Sequence, residues 1–156
     1  MEDKEILAEI LTWKGTRWRH MQAVKGEGVD CVQFPVMVAK NLGWVSDDYK
    51  TIKYSRDWAT HNDFSVLTRE LETLLEAVPL SGDVISCTDD LRVGDVLALK
   101  MERCVGHLGM YIGNKQIVHV HIRRGVIIEP ISLYAKQLHS AWRFKRCVAA
   151  LELEQS

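Results

Sequence analysis

The hydrophobic pattern changes period at Pro79, and that change limits the chain more than any other feature. Upstream, apolar residues recur three and four apart. Ile6, Leu7, Ile10 and Leu11 form one such set in "DKEILAEILTWKG". Leu67, Leu71, Leu74, Leu75 and Val78 form another in "FSVLTRELETLLEAVP". Both sets predict amphipathic helices. Asp3 and Gly15 are expected to bound the first, and Asn62 or Asp63 and Pro79 the second. Between them, "DCVQFPVMVAKNLG" predicts a helix capped by Asp30, with Cys31 as its first residue and Gly43 at its end. Pro35 falls early enough for a slight kink rather than a break. Residues 44–63 show no clean period and predict an irregular connector.

Downstream of Pro79 the period falls to two. "DVLALKM", "HLGMYIG", "QIVHVHI", "GVIIEP" and "AWRFKRCVAAL" predict short strands, with a short helix at "ISLYAKQLH". Helices followed by a strand meander specify an α+β fold. The N-terminal helices are expected to pack on an antiparallel sheet or small barrel formed by the C-terminal half. The 156 residues suffice for one core, and no repeat or linker divides them, so residues 1–156 are read as a single domain.

Charge excludes some partners. A net charge of −1 and a pI of about 6.6 provide no basic field for nucleic acid or an anionic membrane. The opening "MEDKEILAEILTWKG" has neither a basic leader nor a long apolar run. No signal peptide or membrane span is expected, and the cytoplasm is the expected place of synthesis.

Four cysteines, Cys31, Cys87, Cys104 and Cys147, are widely spaced with no CxxC pair. The last three suit small buried hydrophobes. Cys31 differs, because the first amides of a helix lack internal partners and the helix dipole is positive there. That position favours a thiolate, and the free amides suit an oxyanion. An ionised Cys31 is expected to react with iodoacetamide well below pH 8, before the other cysteines.

A nucleophile needs a base. "GHLGMYIGNKQIVHVH" carries three histidines across a predicted hairpin. His107, Gly109 and Tyr111 alternate with the apolar Leu108, Met110 and Ile112, so His107 is expected to point away from the core, towards a cleft or solvent. Ile117, His119 and His121 likewise share a face. A two-residue loop would put His107 and His119 on opposite faces. A three-residue loop, Gly113–Lys115, pairs Gly109 with His119 and puts both on one face. The odd loop, or an equivalent bulge, is the predicted register. His20, His61 and His139 lack such a pattern, although His20 lies on the loop leading into Cys31. Metal binding is the rival chemistry, through Cys104-x-x-His107 and His119-x-His121. Strand alternation separates the first pair and no closed zinc pattern is completed, so no metal is expected.

Taken in order, "GTRWRH…GVDCVQF", "RVGDVLALKM" and "GHLGMYIGNKQIVHV" resemble three blocks of the NlpC family of papain-like cysteine peptidases, over roughly residues 15 to 122. The resemblance implies a papain-like fold, Cys31 as nucleophile, His107 as general base and His119 as the residue orienting it. It implies hydrolysis of peptidoglycan stem peptides at a γ-D-glutamyl–diamino-acid bond, without metal or organic cofactor. Trp18, His20, Asp30, Val32 and His121 are the remaining candidates for the substrate or oxyanion site, His121 also as a substitute for His119. The "YSRDW" connector is similar to the phage-associated branch, which implies tail proteins as partners and a place in the virion. Three features depart from the family pattern. Val32-Gln33 replaces a small Ser-Gly pair, Trp18 stands where many members have a tyrosine, and Pro35 enters the catalytic helix. These departures leave two alternatives: a phage tail or assembly protein with little catalysis, or a thiol-dependent amidase or acyltransferase on another substrate.

Overall fold

The computed structural model describes residues 2–51, 53–54, 64–82, 88–101 and 104–145. Among the described residues, three helices precede most of the sheet: α1 (Asp3–Leu11), α2 (Gln33–Asn41) and α3 (Phe64–Leu74). A two-stranded hairpin, β1 (Ala23–Val24) and β2 (Gly28–Val29), lies between α1 and α2. The main sheet comprises β3 (Leu75–Val78), β4 (Val96–Met101), β5 (Cys104–Tyr111), β6 (Gln116–His121), β7 (Gly125–Pro130) and β8 (Leu138–Phe144). Its order is β3-β8-β4-β5-β6-β7, and every pairing is antiparallel. The fold is thus α+β of the papain-like kind, with an open sheet and no closed barrel.

Local chemistry explains most boundaries. Asp30 does cap α2: its Oδ1 accepts the amides of Val32 and Gln33 at 3.1 and 2.8 Å, and its carbonyl accepts that of Phe34 at 3.0 Å. Cys31, the first residue after this cap, lies in the turn that leads into α2. The helix continues through Pro35, which sits in its first turn, where a missing N–H costs little. Asp3 is not the cap of α1. It is the first helical residue, and the N-cap Glu2 makes no side-chain cap bond.

The second amphipathic run departs from its period. The chain leaves the helix after Leu74, and Leu75–Val78 pairs with Ala141–Phe144 as β3. Ladder bonds to β8 outweigh a modest helix preference over these four residues. The "ISLYAKQLH" helix shortens to a single 3₁₀ turn, Ile131–Tyr134, and Leu138 already belongs to β8. Asn62, Asp63, His61, Cys87 and Cys147 lie outside the described residues, as does the side chain of Cys104.

The sheet buries both faces. On one, Leu108, Met110, Val118, Val120 and Val126 join Ile6, Ile10, Trp13, Phe34 and Val38 from the helices. On the other, Leu97, Leu99, Tyr111 and Ile117 pack with Leu91, Ile131 and Ala141 in a smaller cluster. The histidine-bearing face thus carries a second core, while His107 itself is partly exposed. Cross-links fix the sheet to its surroundings. Arg143 on β8 makes a two-pronged contact with buried Asp95, through Nε at 2.9 Å and Nη2 at 2.7 Å, and also reaches the Asp90 carbonyl. After α1, Gly15 and Thr16 bond to both backbone groups of Val126 on β7. Gly125 permits that approach. Its φ is +74°, and a Cβ there would fall 2.4 Å from the Thr16 carbonyl oxygen. Among the described residues, no helix is long and apolar enough to cross a membrane.

Candidate active site

The β5–β6 hairpin sets the site. Its loop is Gly113–Asn114–Lys115, all three at positive φ (85°, 50° and 58°). The Ile112 amide bonds to the Gln116 carbonyl across it, and Gly109 opposes His119. This is the odd register the histidine spacing predicts. It places His107 Nε2 at 2.8 Å from His119 Nδ1, with the rings edge to face. A side chain at Gly109 would collide with Ile117 and crowd His119, so glycine keeps room for the pair.

His119 is 2% exposed and held from behind. Its Nε2 lies 2.7 Å from Glu129 Oε1 on β7. Tyr134, on the 3₁₀ turn, donates to the same carboxylate oxygen at 2.7 Å and lies 3.2 Å from His119 Nε2. Burial works against the Glu129 carboxylate. Hydrogen bonds from Tyr134 and His119 outweigh it and hold its pKa below the usual carboxylate range. Neither Glu129 nor Tyr134 stands out in the sequence. The available signal was one acid in the otherwise apolar "GVIIEP", at the parity that faces His119 once the β6–β7 register is known.

Cys31 meets this assembly from the α2 side. Its thiol donates to the Gly106 carbonyl at 3.7 Å, and the Leu108 amide faces the sulfur. The sulfur thus rests on the β5 backbone on either side of His107. The pairing of β5 with β6 ends at Gly109, and a bulge interrupts the β4–β5 ladder between Leu99 and Lys100, opposite His107 and Val105. The sequence reading needs correction here. The helix-start amides expected to favour a thiolate are taken by Asp30. Burial, followed by the Asp30 charge, pushes the Cys31 thiol up to about 12. Burial, with neighbouring His119 and His121, pulls His107 down to about 3. The resting pair is a neutral thiol and a neutral imidazole, not an ion pair. Iodoacetamide should accordingly alkylate Cys31 slowly at pH 7, with a rate rising about tenfold per pH unit towards pH 10. Rapid labelling below pH 8, followed by mass spectrometry of the modified peptide, would contradict a protonated resting thiol.

The other candidates are dispersed. Asp30 is buried and also accepts the Met21 amide at 2.7 Å and the Tyr54 hydroxyl at 2.6 Å, fixing the segment that carries Cys31. His20 stacks edge-on against Tyr54, with ring centres 5.4 Å apart. Trp18 bridges to Val29 and packs against the main core. The phenol facing the Cys31 segment is Tyr54, from the connector that showed no period. Buried Val32 lines a small apolar cavity with Pro35, Leu71, Val96 and Leu108. The ring that meets His107 is that of His119, whereas His121 turns into the β6–β7 turn. Its Nδ1 accepts the Arg123 and Arg124 amides, capping the β6–β7 turn. No group of three or more His, Cys, Asp or Glu among the described residues has the geometry for a metal ion.

The comparisons agree with this layout. The model of the NlpC/P60 family matches residues 12–143, from the end of α1 into β8. The chain belongs to the NlpC/P60 family. Solved NlpC/P60 structures share its fold at low identity. The NlpC/p60 domain of the peptidoglycan hydrolase SagA superposes with a TM-score of 0.58 at 14% identity, covering 92% of this chain and 100% of that one. An NlpC/P60 family protein from Bacillus cereus gives 0.62 at 20% identity, covering 92% and 40%. NlpC2 from Trichomonas vaginalis gives 0.63 at 16% identity, covering 91% and 46%. This NlpC/P60 chain thus spans less than half of the latter two. No curated protein sequence matches it.

Proposed function

We propose that this NlpC/P60 chain is a cysteine endopeptidase that hydrolyses amide bonds in peptidoglycan stem peptides, at the γ-D-glutamyl–diamino-acid position. Cys31 is the nucleophile, His107 the general base and His119 the residue that orients His107. The observation that carries this reading is the 2.8 Å contact between His107 and His119, with the Cys31 thiol lying against the residues that flank His107. Family membership supports the same reading, as does the peptidoglycan hydrolase whose domain shares the fold.

The chemistry follows from the neutral resting pair. Substrate entry draws the thiol off the Gly106 carbonyl. The S–H bond then breaks as sulfur attacks the amide carbon, and the proton passes to His107. The same proton goes to the leaving amine when the C–N bond breaks. Water next attacks the thioester and returns the thiol. Attack through a neutral pair, with general-base assistance, suits a thiol that burial keeps protonated.

One observation favours a second reading, a domain that keeps this fold with little catalysis. The thiol rests on a backbone carbonyl rather than on an imidazole. Apo sites commonly tighten only with substrate, so the enzyme reading stands first. Purified stem peptides incubated with the protein, beside a Cys31→Ala variant, test it by mass spectrometry. New amine and carboxyl ends at the expected bond, formed by the wild-type protein alone, are the expected result. Equal cleavage by both proteins, or none by either, overturns it.

A further inference from the structure

We propose that Glu129 and Tyr134 are positioning residues that decide which nitrogen of His107 carries the lone pair. The unit that prepares the base is then Glu129–His119–His107, anchored by a carboxylate, rather than the histidine pair alone. The inference rests on the proposed role of His107 and adds two residues to it.

Hydrogen-bond chemistry leads from one end of the chain to the other. An ionised carboxylate only accepts. Glu129 Oε1, 2.7 Å from His119 Nε2, therefore requires the proton on Nε2. A neutral imidazole has one donor and one acceptor, so His119 Nδ1 is an acceptor. His107 Nε2, 2.8 Å away, must then be the donor. This leaves the lone pair of His107 on Nδ1, the nitrogen not engaged by His119. Tyr134 closes the remaining freedom. Its hydroxyl donates to Glu129 Oε1, which fixes that oxygen in place, and its own lone pair faces His119 Nε2. Arg124, 3.6 Å from Glu129 and largely exposed, is a weaker partner.

The arrangement also acts on the transition state. When His107 accepts the thiol proton at Nδ1, it becomes a cation that still donates from Nε2 to His119. Glu129 remains an anion at the far side of His119 and takes up no proton. Its charge favours the imidazolium over the neutral ring. Among the described residues, the ionisable groups facing the histidine pair are Glu129 on β7, Tyr134 on the 3₁₀ turn, His121 on β6, Arg124 in the β6–β7 turn and Cys31 before α2. Glu129 is the only anion of this set at neutral pH, because the tyrosine and the thiol are both held protonated.

Three variants separate charge from orientation. Glu129→Gln keeps an acceptor oxygen and loses the charge, Tyr134→Phe loses the hydroxyl, and Glu129→Leu loses both the charge and the acceptor. Nitrogen-15 NMR of the histidine rings reads the tautomers directly, without any activity. The wild type is expected to hold both rings as Nε2–H, and Glu129→Leu a mixture. Kinetics give the second readout. Glu129→Gln should lower kcat by about 10²-fold, a share of what general-base catalysis supplies. Its acid limb of kcat/KM should move to lower pH, because the imidazolium has lost its anion. Tyr134→Phe should lower kcat by a smaller factor. Wild-type rings in the Nδ1–H form, or tautomers and an acid limb unmoved in Glu129→Leu and Glu129→Gln, would overturn the proposal. Should stem peptides prove not to be the substrate, the NMR result still decides whether the carboxylate sets the tautomer.

Discussion

Exchanging His107 for glutamine is expected to lower kcat/KM on stem peptides by about 10³- to 10⁴-fold, and adding Cys31→Ala to that variant should cost little more. Groups that act as one unit lose most of their value when the first member goes, so their effects do not multiply. The reasons lie in the resting state. With the thiol held near 12, scarcely any thiolate exists at pH 7, and attack depends on a base that removes the proton as the bond forms. His107 offers a neutral ring for that proton; burial weakens it as a base, and the Glu129 charge works in the opposite direction. Glutamine matches its size and polarity but cannot accept and return a proton at these pH values. Steady-state kinetics on one defined stem peptide, with thermal melts to confirm folding, provide the measurement. A loss of less than tenfold would remove His107 from the chemistry.

The second large effect concerns the fold. Replacing Arg143 by methionine should cost about 3–5 kcal/mol, because it takes the two-pronged guanidinium contact from the buried Asp95 carboxylate and leaves it the Arg92 amide. For a domain of this size that amounts to a fall of about 10 °C or more in Tm. The loss should also depend on pH, with a definite sign. Burial raises the Asp95 carboxyl above its ordinary range even against the opposing bonds from Arg143 and Arg92. Without Arg143 it rises further, so the folded variant holds a proton that the unfolded chain has released. Its deficit relative to wild type is then smaller near pH 5 and grows as pH rises through the folded-state pKa. Urea unfolding of both proteins at pH 5 and pH 8 tests this. A pH-independent difference, or one that shrinks towards pH 8, would show that Asp95 is not the group responsible.

Much of this was legible in the sequence because it follows from parity and spacing. Alternation assigned His107 and Gly109 to one face of β5, and the interval to His119 required an odd loop. The Asp30 cap was equally local, a short polar side chain two and three residues before the amides it satisfies. What was hidden depends on contacts that no local pattern encodes. Leu75–Val78 continued a helical period, and only the presence of β8 shows why it pairs instead. Tyr54 lies in an aperiodic segment, yet its hydroxyl reaches Asp30. The state of the Cys31 thiol was misread for a related reason. A helix start favours a thiolate only while its amides are free, and the adjacent residue had already claimed them.

The seat of Cys31 on the Gly106 carbonyl also bears on durability. Peroxide and disulfides attack thiolates far faster than thiols, so a sulfur kept protonated oxidises slowly. Overoxidation of the proposed nucleophile to the sulfinic or sulfonic acid would inactivate it for good. Under the proposed mechanism, holding the proton until substrate arrives would keep the sulfur intact against oxidants, at the expense of some speed in the first encounter.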